Sequence, residues 1–156
     1  MSKNLVSRFI SSFFSALLVL GAVTPVLAQA QTIAGAQADA LYSALGEKIG
    51  ITKLADDFVN RLKVDPRLTP AFKDSSAKNL KLMLAQQFCK VSGGPCVYEG
   101  DDMKSAHAHM QITKTDFHAL VEVLQESMDA MGIAFTTQNQ LLARLAPMHR
   151  DVITVK

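Results

Sequence analysis

The sequence lacks the signatures that announce several common chemistries. There is no glycine-rich phosphate loop, no Cys-x-x-Cys-His run for covalent porphyrin attachment, and no Cys/His cluster of zinc-finger spacing in the 156 residues. Stretches alternating between apolar and polar residues, as a half-buried strand requires, are missing at any useful length, and so are internal repeats. Adjacent acids do occur, at Asp56-Asp57 and Asp101-Asp102. They fall at helix starts or on polar faces, where caps and solvated charges are expected rather than acid–base pairs. Aromatic residues are few, 6% with no tryptophan, so aromatic packing alone does not fill the core.

A charge imbalance is also lacking once the N-terminus is set aside. Lys3 and Arg8 precede an apolar run through Phe13, Phe14 and Ala16 to Val23, and Pro25-Val-Leu-Ala-Gln-Ala30 ends in an Ala-x-Ala pattern. This reads as a secretory signal peptide over residues 1–30, cut after Ala30 or Ala28. The alternative is an uncleaved anchor, but the apolar core is well short of the ~20 residues that a spanning helix needs. The whole chain has 16 basic and 14 acidic residues, and without residues 1–30 the remainder has 14 of each. A neutral chain has no basic stripe for phosphates, so a nucleic-acid partner is not expected. After cleavage no membrane partner is expected either. Residues 31–40 read as a flexible leader and 41–156 as one domain with one core.

Export to the periplasm or beyond would place Cys89 and Cys96 in an oxidising compartment, where a disulfide closing Lys90-Val-Ser-Gly-Gly-Pro95 is expected. Chain entropy gives such a link roughly 2.5 kcal/mol. Two free buried thiols or a redox pair are the competing readings, although the spacing is not that of Cys-x-x-Cys oxidoreductases.

Helical periodicity dominates the rest of the chain. Ile51, Leu54, Ala55, Phe58, Val59 and Leu62 form one stripe, limited behind by Gly50 and ended by Asp65-Pro66. Pro66 can open a short helix whose run to Phe72 is interrupted by Pro70. Ser75 or Ser76 can cap a longer helix carrying Ala77, Leu80, Leu84, Gln87, Phe88 and Val91 on one face, stopped by Ser92-Gly-Gly-Pro95. Asp101 or Asp102 can cap a short helix in which Met103, His107 and Met110 share a face. Thr113-Lys-Thr-Asp116 is a capping-box variant with Ile112 and Phe117 as its hydrophobic staple, opening a helix through Leu120, Val121, Leu124, Met128 and Met131 to Gly132. A last helix follows Thr136 or Thr137, with Leu141, Leu142, Leu145, Met148 and Val152, bent at Pro147. The expected class is all-α, with about four substantial helices and two short ones.

Two histidines in the short helix invite a metal, but two residues along a helix is a turn of about 200°, so His107 and His109 cannot grip one ion together. By pattern alone His107 is a core histidine bonded to a carbonyl, or a ligand. Haem takes one imidazole and needs apolar walls, and a flat cofactor of that kind would account for a core so poor in aromatics.

The run Met103-Lys-Ser-Ala-His107, with Gly93-Gly94-Pro95 and Tyr98-Glu-Gly100 before it and Ile112-Thr-Lys-Thr-Asp-Phe117 after it, resembles a group I truncated haemoglobin. Asp57-Phe58, Asp65-Pro-Arg-Leu68 and Phe72 extend the likeness over about residues 41–154. The resemblance implies a truncated two-over-two globin-like helical sandwich around a haem b held non-covalently. It makes His107 the proximal iron ligand, sets Phe72 on the haem face, and places Tyr98, Met103 and Phe117 along the haem. Leu80 and Leu84 would lie over the sixth coordination site.

The distal side departs from the family pattern. Val59 stands where many members carry a tyrosine, and Leu84 where a glutamine is often found. The distal pocket is then Val59, Leu80, Leu84 and Gln87, with Gln87 the best remaining hydrogen-bond donor and Gln86 turned away. Such a pocket should favour NO and CO over O₂, because bound O₂ carries partial negative charge and gains most from a donor. The expected function is reversible binding of a diatomic gas at haem iron, in oxygen binding or transport or in an NO-related redox role, with an unidentified electron donor. NO dioxygenase or peroxidase-like activity is left open. The alternatives are a periplasmic copper carrier using His107, His109, the methionines and reduced Cys89 and Cys96, and a helical interaction domain without cofactor.

Overall fold

The computed structural model describes residues 40–155. The signal peptide expected at 1–30 and nearly all of the leader lie outside the described residues, and Ala40, at the leader's end, already opens helix α1 (40–44). Then come α2 (Glu47–Leu62), α3 (Thr69–Phe72), α4 (Ala77–Val91), α5 (Met103–His107), α6 (Lys114–Ala130), α7 (Phe135–Leu145), a 3₁₀ turn (Ala146–Met148) and α8 (His149–Val152). The described residues contain no strand.

The fold follows from where the apolar stripes point. The α2 stripe is buried at Ile51, Leu54, Ala55, Phe58, Val59 and Leu62, the six positions its periodicity marks. It packs on α4 and on α6, while α4 also meets α7, so the α2/α4 pair lies over the α6/α7 pair. Phe58 and Phe88 meet at the centre with ring centroids 6.1 Å apart. Leu54, Leu62, Val123, Leu124, Met128 and Leu141 complete the core around them. Each fully buried side chain of this size stabilises the fold by roughly 1.5–3 kcal/mol.

The ends of the helices correct several expectations. Gly50 does not limit α2, which starts earlier, after a turn in which Gly46 (φ 79°) and Glu47 (φ 55°) are both left-handed. Gly50 lies inside the helix because a Cβ there would collide with the Leu45 carbonyl. Pro70 does not interrupt a helix from Pro66 but occupies the first turn of α3, where a missing N–H costs nothing. The α7 helix begins at Phe135 behind Ala134 rather than after a threonine cap.

Other boundaries agree with the sequence. Ser76 Oγ accepts from the Asn79 amide at the start of α4. Gly93 at φ 90° ends that helix, with the Gly94 amide donating back to the Cys89 carbonyl at 2.8 Å. Thr113 and Asp116 form the reciprocal capping box. Pro147 lies in the 3₁₀ turn between α7 and α8.

Candidate functional site

Helix α5 is five residues long and buries none of its side chains, so its position is set from outside. Asp102 caps it, its carboxylate accepting from the Ser105 amide at 2.9 Å and the Ser105 hydroxyl at 2.7 Å. These bonds hold the Asp102 carboxyl below its usual range. On the other side α5 packs against α8. The tail beyond α8 is pinned to the residue after the α5 turn: the Thr154 and Val155 amides donate to the Ile112 carbonyl at 2.9 and 3.0 Å. The Ile112 amide in turn donates to the Thr154 hydroxyl at 2.8 Å.

His107 ends α5, half-buried, with Nδ1 2.7 Å from the Met103 carbonyl. A carbonyl only accepts, so Nδ1 carries the proton and Nε2 keeps its lone pair. An imidazole fixed in that tautomer by a carbonyl one turn back is prepared to ligate a metal through Nε2. His109 lies past the helix and is exposed. Met110 does not share the face of Met103 and His107 as expected: α5 stops at His107, a turn follows, and Met110 is 38% exposed. Gln111, at φ 53°, then swings the chain toward α6.

The apolar residues expected along a haem are incompletely covered. Along the α4 face only Phe88 and Cys89 are buried, whereas Leu80, Met83, Leu84 and Gln87 are half-buried. Phe72, Tyr98, Met103, Phe117, Leu120 and Met148 are half-buried too. Side-chain contacts tie these elements into a ring. Gln87 Nε2 reaches the sulfurs of Met103 and Met148, and the Phe117 ring lies 6.3 Å from that of His149. Tyr98 closes against the bare Cα of Gly100 and the Met83 sulfur, where a Cβ on Gly100 would collide with its hydroxyl. Burial pushes the Tyr98 phenol up, and Asp101 and Asp102 push it the same way.

The expected distal residues differ in burial, with Leu84 packed partly against the core. Leu80 and Leu84 are on the open face, but Val59 is wholly buried on the inner side of α2. Gln87 is engaged with two sulfurs. Gln86 is turned away and braces the loop, donating to the Glu99 carboxylate and accepting from the Glu99 amide, both at 3.2 Å. Cys89 and Cys96 are joined, with Cα atoms 5.8 Å apart. Met83, Met148 and the pinning of Ile112 by the tail were not legible. Nothing in the pattern distinguishes a methionine that packs in the core from one that meets an amide across a gap.

A half-buried imidazole with its Nε2 free, in a chain that leaves aliphatic, aromatic and thioether side chains half-buried, suits a single-histidine haem. Among the described residues no three His, Cys, Asp or Glu converge as a metal site, and the two cysteines that the copper reading needs reduced are paired with each other, so that reading is not favoured.

The model of the bacterial-like globin family matches residues 40–154. The chain belongs to this globin family. Group 1 truncated haemoglobins are among its relatives. That of Nostoc commune is 25% identical over 113 residues, covering 72% of this chain and 96% of the relative. That of Chlamydomonas moewusii is 26% identical over 120 residues, covering 74% and 68%. The crystal structure of the truncated haemoglobin from Tetrahymena pyriformis in its Fe(III) form superposes with a TM-score of 0.70 at 21% identity, covering 72% of this chain and 97% of that one. The fold of this globin is therefore the truncated two-over-two sandwich. Membership of the family brings haem as the cofactor and a diatomic gas as its ligand.

Proposed function

We propose that this globin holds haem b non-covalently through His107 Nε2 and reversibly binds a diatomic gas, with NO and CO favoured over O₂. The observation that carries the reading is the 2.7 Å bond between His107 Nδ1 and the Met103 carbonyl, which leaves the Nε2 of this half-buried imidazole free to ligate iron. Phe72, Leu80, Leu84, Tyr98, Met103 and Phe117 would form the walls. Bound haem supplies an iron with one open coordination site, which the side chains of the chain must keep dry and shaped for a two-atom ligand.

The preference among gases follows from what the distal face offers. Leu80 and Leu84 have no donor, and the amide of Gln87 is occupied elsewhere. An oxygen ligand gains more from a donor than CO or NO does, so oxygen should leave quickly. Gas binding, rather than a reaction at the bound gas, is the reading these side chains support, with an unidentified electron donor keeping the iron reduced. The N-terminal pattern supports export, with cleavage after Ala28 or Ala30, and the Cys89–Cys96 pair suits an oxidising compartment.

Reconstitution tests the core of this. Added haem should give a Soret band, and His107→Gly should abolish it or change its position, with exogenous imidazole restoring the native spectrum. A band unaltered in His107→Gly would sink the assignment of the ligand. Sequencing the N-terminus of the exported protein reads the cleavage site directly.

A further inference from the structure

The polar residue that the sequence offers to the distal pocket is spent on the proximal side. Leu80, Leu84 and Gln87 share one face of α4, and a free amide there would point at a bound gas. Instead Nε2 of Gln87 lies 3.2 Å from the sulfur of Met103 and 3.4 Å from that of Met148. A thioether only accepts, so both N–H groups of the amide are used. The amide N–H groups are thus turned to the two sulfurs rather than to a bound gas.

Both sulfurs belong to segments that fix the imidazole. Met103 opens α5, and its carbonyl accepts from His107 Nδ1. Met148 ends the 3₁₀ turn that leads into α8, the helix packed on α5. An N–H···S contact is weak on its own. Here it adds to the few contacts that hold α5, which are its Asp102 cap, its packing on α8 and the half-burial of Met103 and His107. We propose that Gln87 is a positioning residue for His107: from the distal helix it holds Met103, and through Met103 it sets the bond that orients the imidazole.

This rests on the haem reading above, and the test separates the two. The native holoprotein comes first: an iron–histidine stretch in the ferrous form that disappears in His107→Gly establishes the ligand, and its persistence removes both readings together. Gln87→Leu then deletes the donor while keeping bulk, and Met103→Leu deletes the acceptor at similar volume. Each should lower and broaden the iron–histidine stretch and release haem about tenfold faster, as loss of partners that orient a ligand commonly does. The double variant should shift the stretch no further than either alone, and the stretch of bound CO should stay where it is in all three. A distal donor would give the opposite pattern. A moved CO stretch with an unmoved iron–histidine stretch in Gln87→Leu overturns the proposal, and so does a variant in which neither moves.

Discussion

By the family resemblance Leu84 and Val59 would both replace polar distal residues, yet the two positions differ physically. Leu84 is half-buried on the open face of α4, while Val59 is 0% exposed. Leu84→Gln should therefore be accommodated with little loss of stability and should place a donor in the distal pocket. A net hydrogen bond of roughly 1 kcal/mol slows oxygen release about fivefold, which stopped-flow displacement by CO would measure. An unchanged rate would place residue 84 away from the gas. Val59→Tyr is expected to cost about 1–3 kcal/mol in denaturant unfolding, because a ring added to a filled site must displace its neighbours. The sequence difference at residue 59 is thus part of how the core is packed, and a tyrosine cannot be restored there alone.

Helix α5, like α3, the 3₁₀ turn and α8, buries no side chain, and its dependence on a cap should show in pH. The Asp102 and Asp116 carboxyls are both held below their ordinary range, Asp102 by the Ser105 amide and hydroxyl and Asp116 by the Thr113 hydroxyl and amide. A depressed folded-state value means that the stabilisation is complete above the unfolded value of about 3.9 and is lost as pH falls through the lower folded values. Acid should therefore loosen the starts of α5 and α6 below about pH 4. Asp116→Asn, which cannot carry the charge, should show a shallower loss of helical circular dichroism across that window. An equally steep loss would assign the acid sensitivity to other groups.

The same elements show what a sequence can and cannot reveal. The α2 stripe and the capping box of α6 were legible because burial and capping constrain residue type at fixed spacing. The first turn of α2 was not, because Glu47, Lys48 and Ile49 face solvent and carry no periodic signal. The end of α5 has no glycine or proline to mark it; a left-handed Gln111 turns the chain, so Met110 was given a face it does not occupy. Gln87 was placed on the right face, but whether its amide meets a gas or a sulfur depends on Met148, 61 residues away.

At the scale of the molecule, the loop from α4 toward α5 is held to the sandwich at its start, where Cys89–Cys96 ties the end of α4 to that loop. The glycine at 94 lies against both Cys89 Sγ and the Tyr42 ring, close enough that a Cβ would collide with either. The link thus sits where α1, α4 and the loop meet. Opening it should leave the sandwich folded, since Cys89 is one small member of a core that Phe58, Phe88 and their aliphatic neighbours otherwise fill, but the unfolded chain gains freedom. A loop this short predicts a loss of roughly 2.5 kcal/mol. Cys89→Ser with Cys96→Ser should lower the denaturation midpoint, and reductant should lower that of the native protein by a similar amount while leaving the variant unchanged. A native midpoint insensitive to reductant would mean that the two sulfurs contribute as packed groups and not as a cross-link. Their place there would then be explained by burial of Cys89 alone.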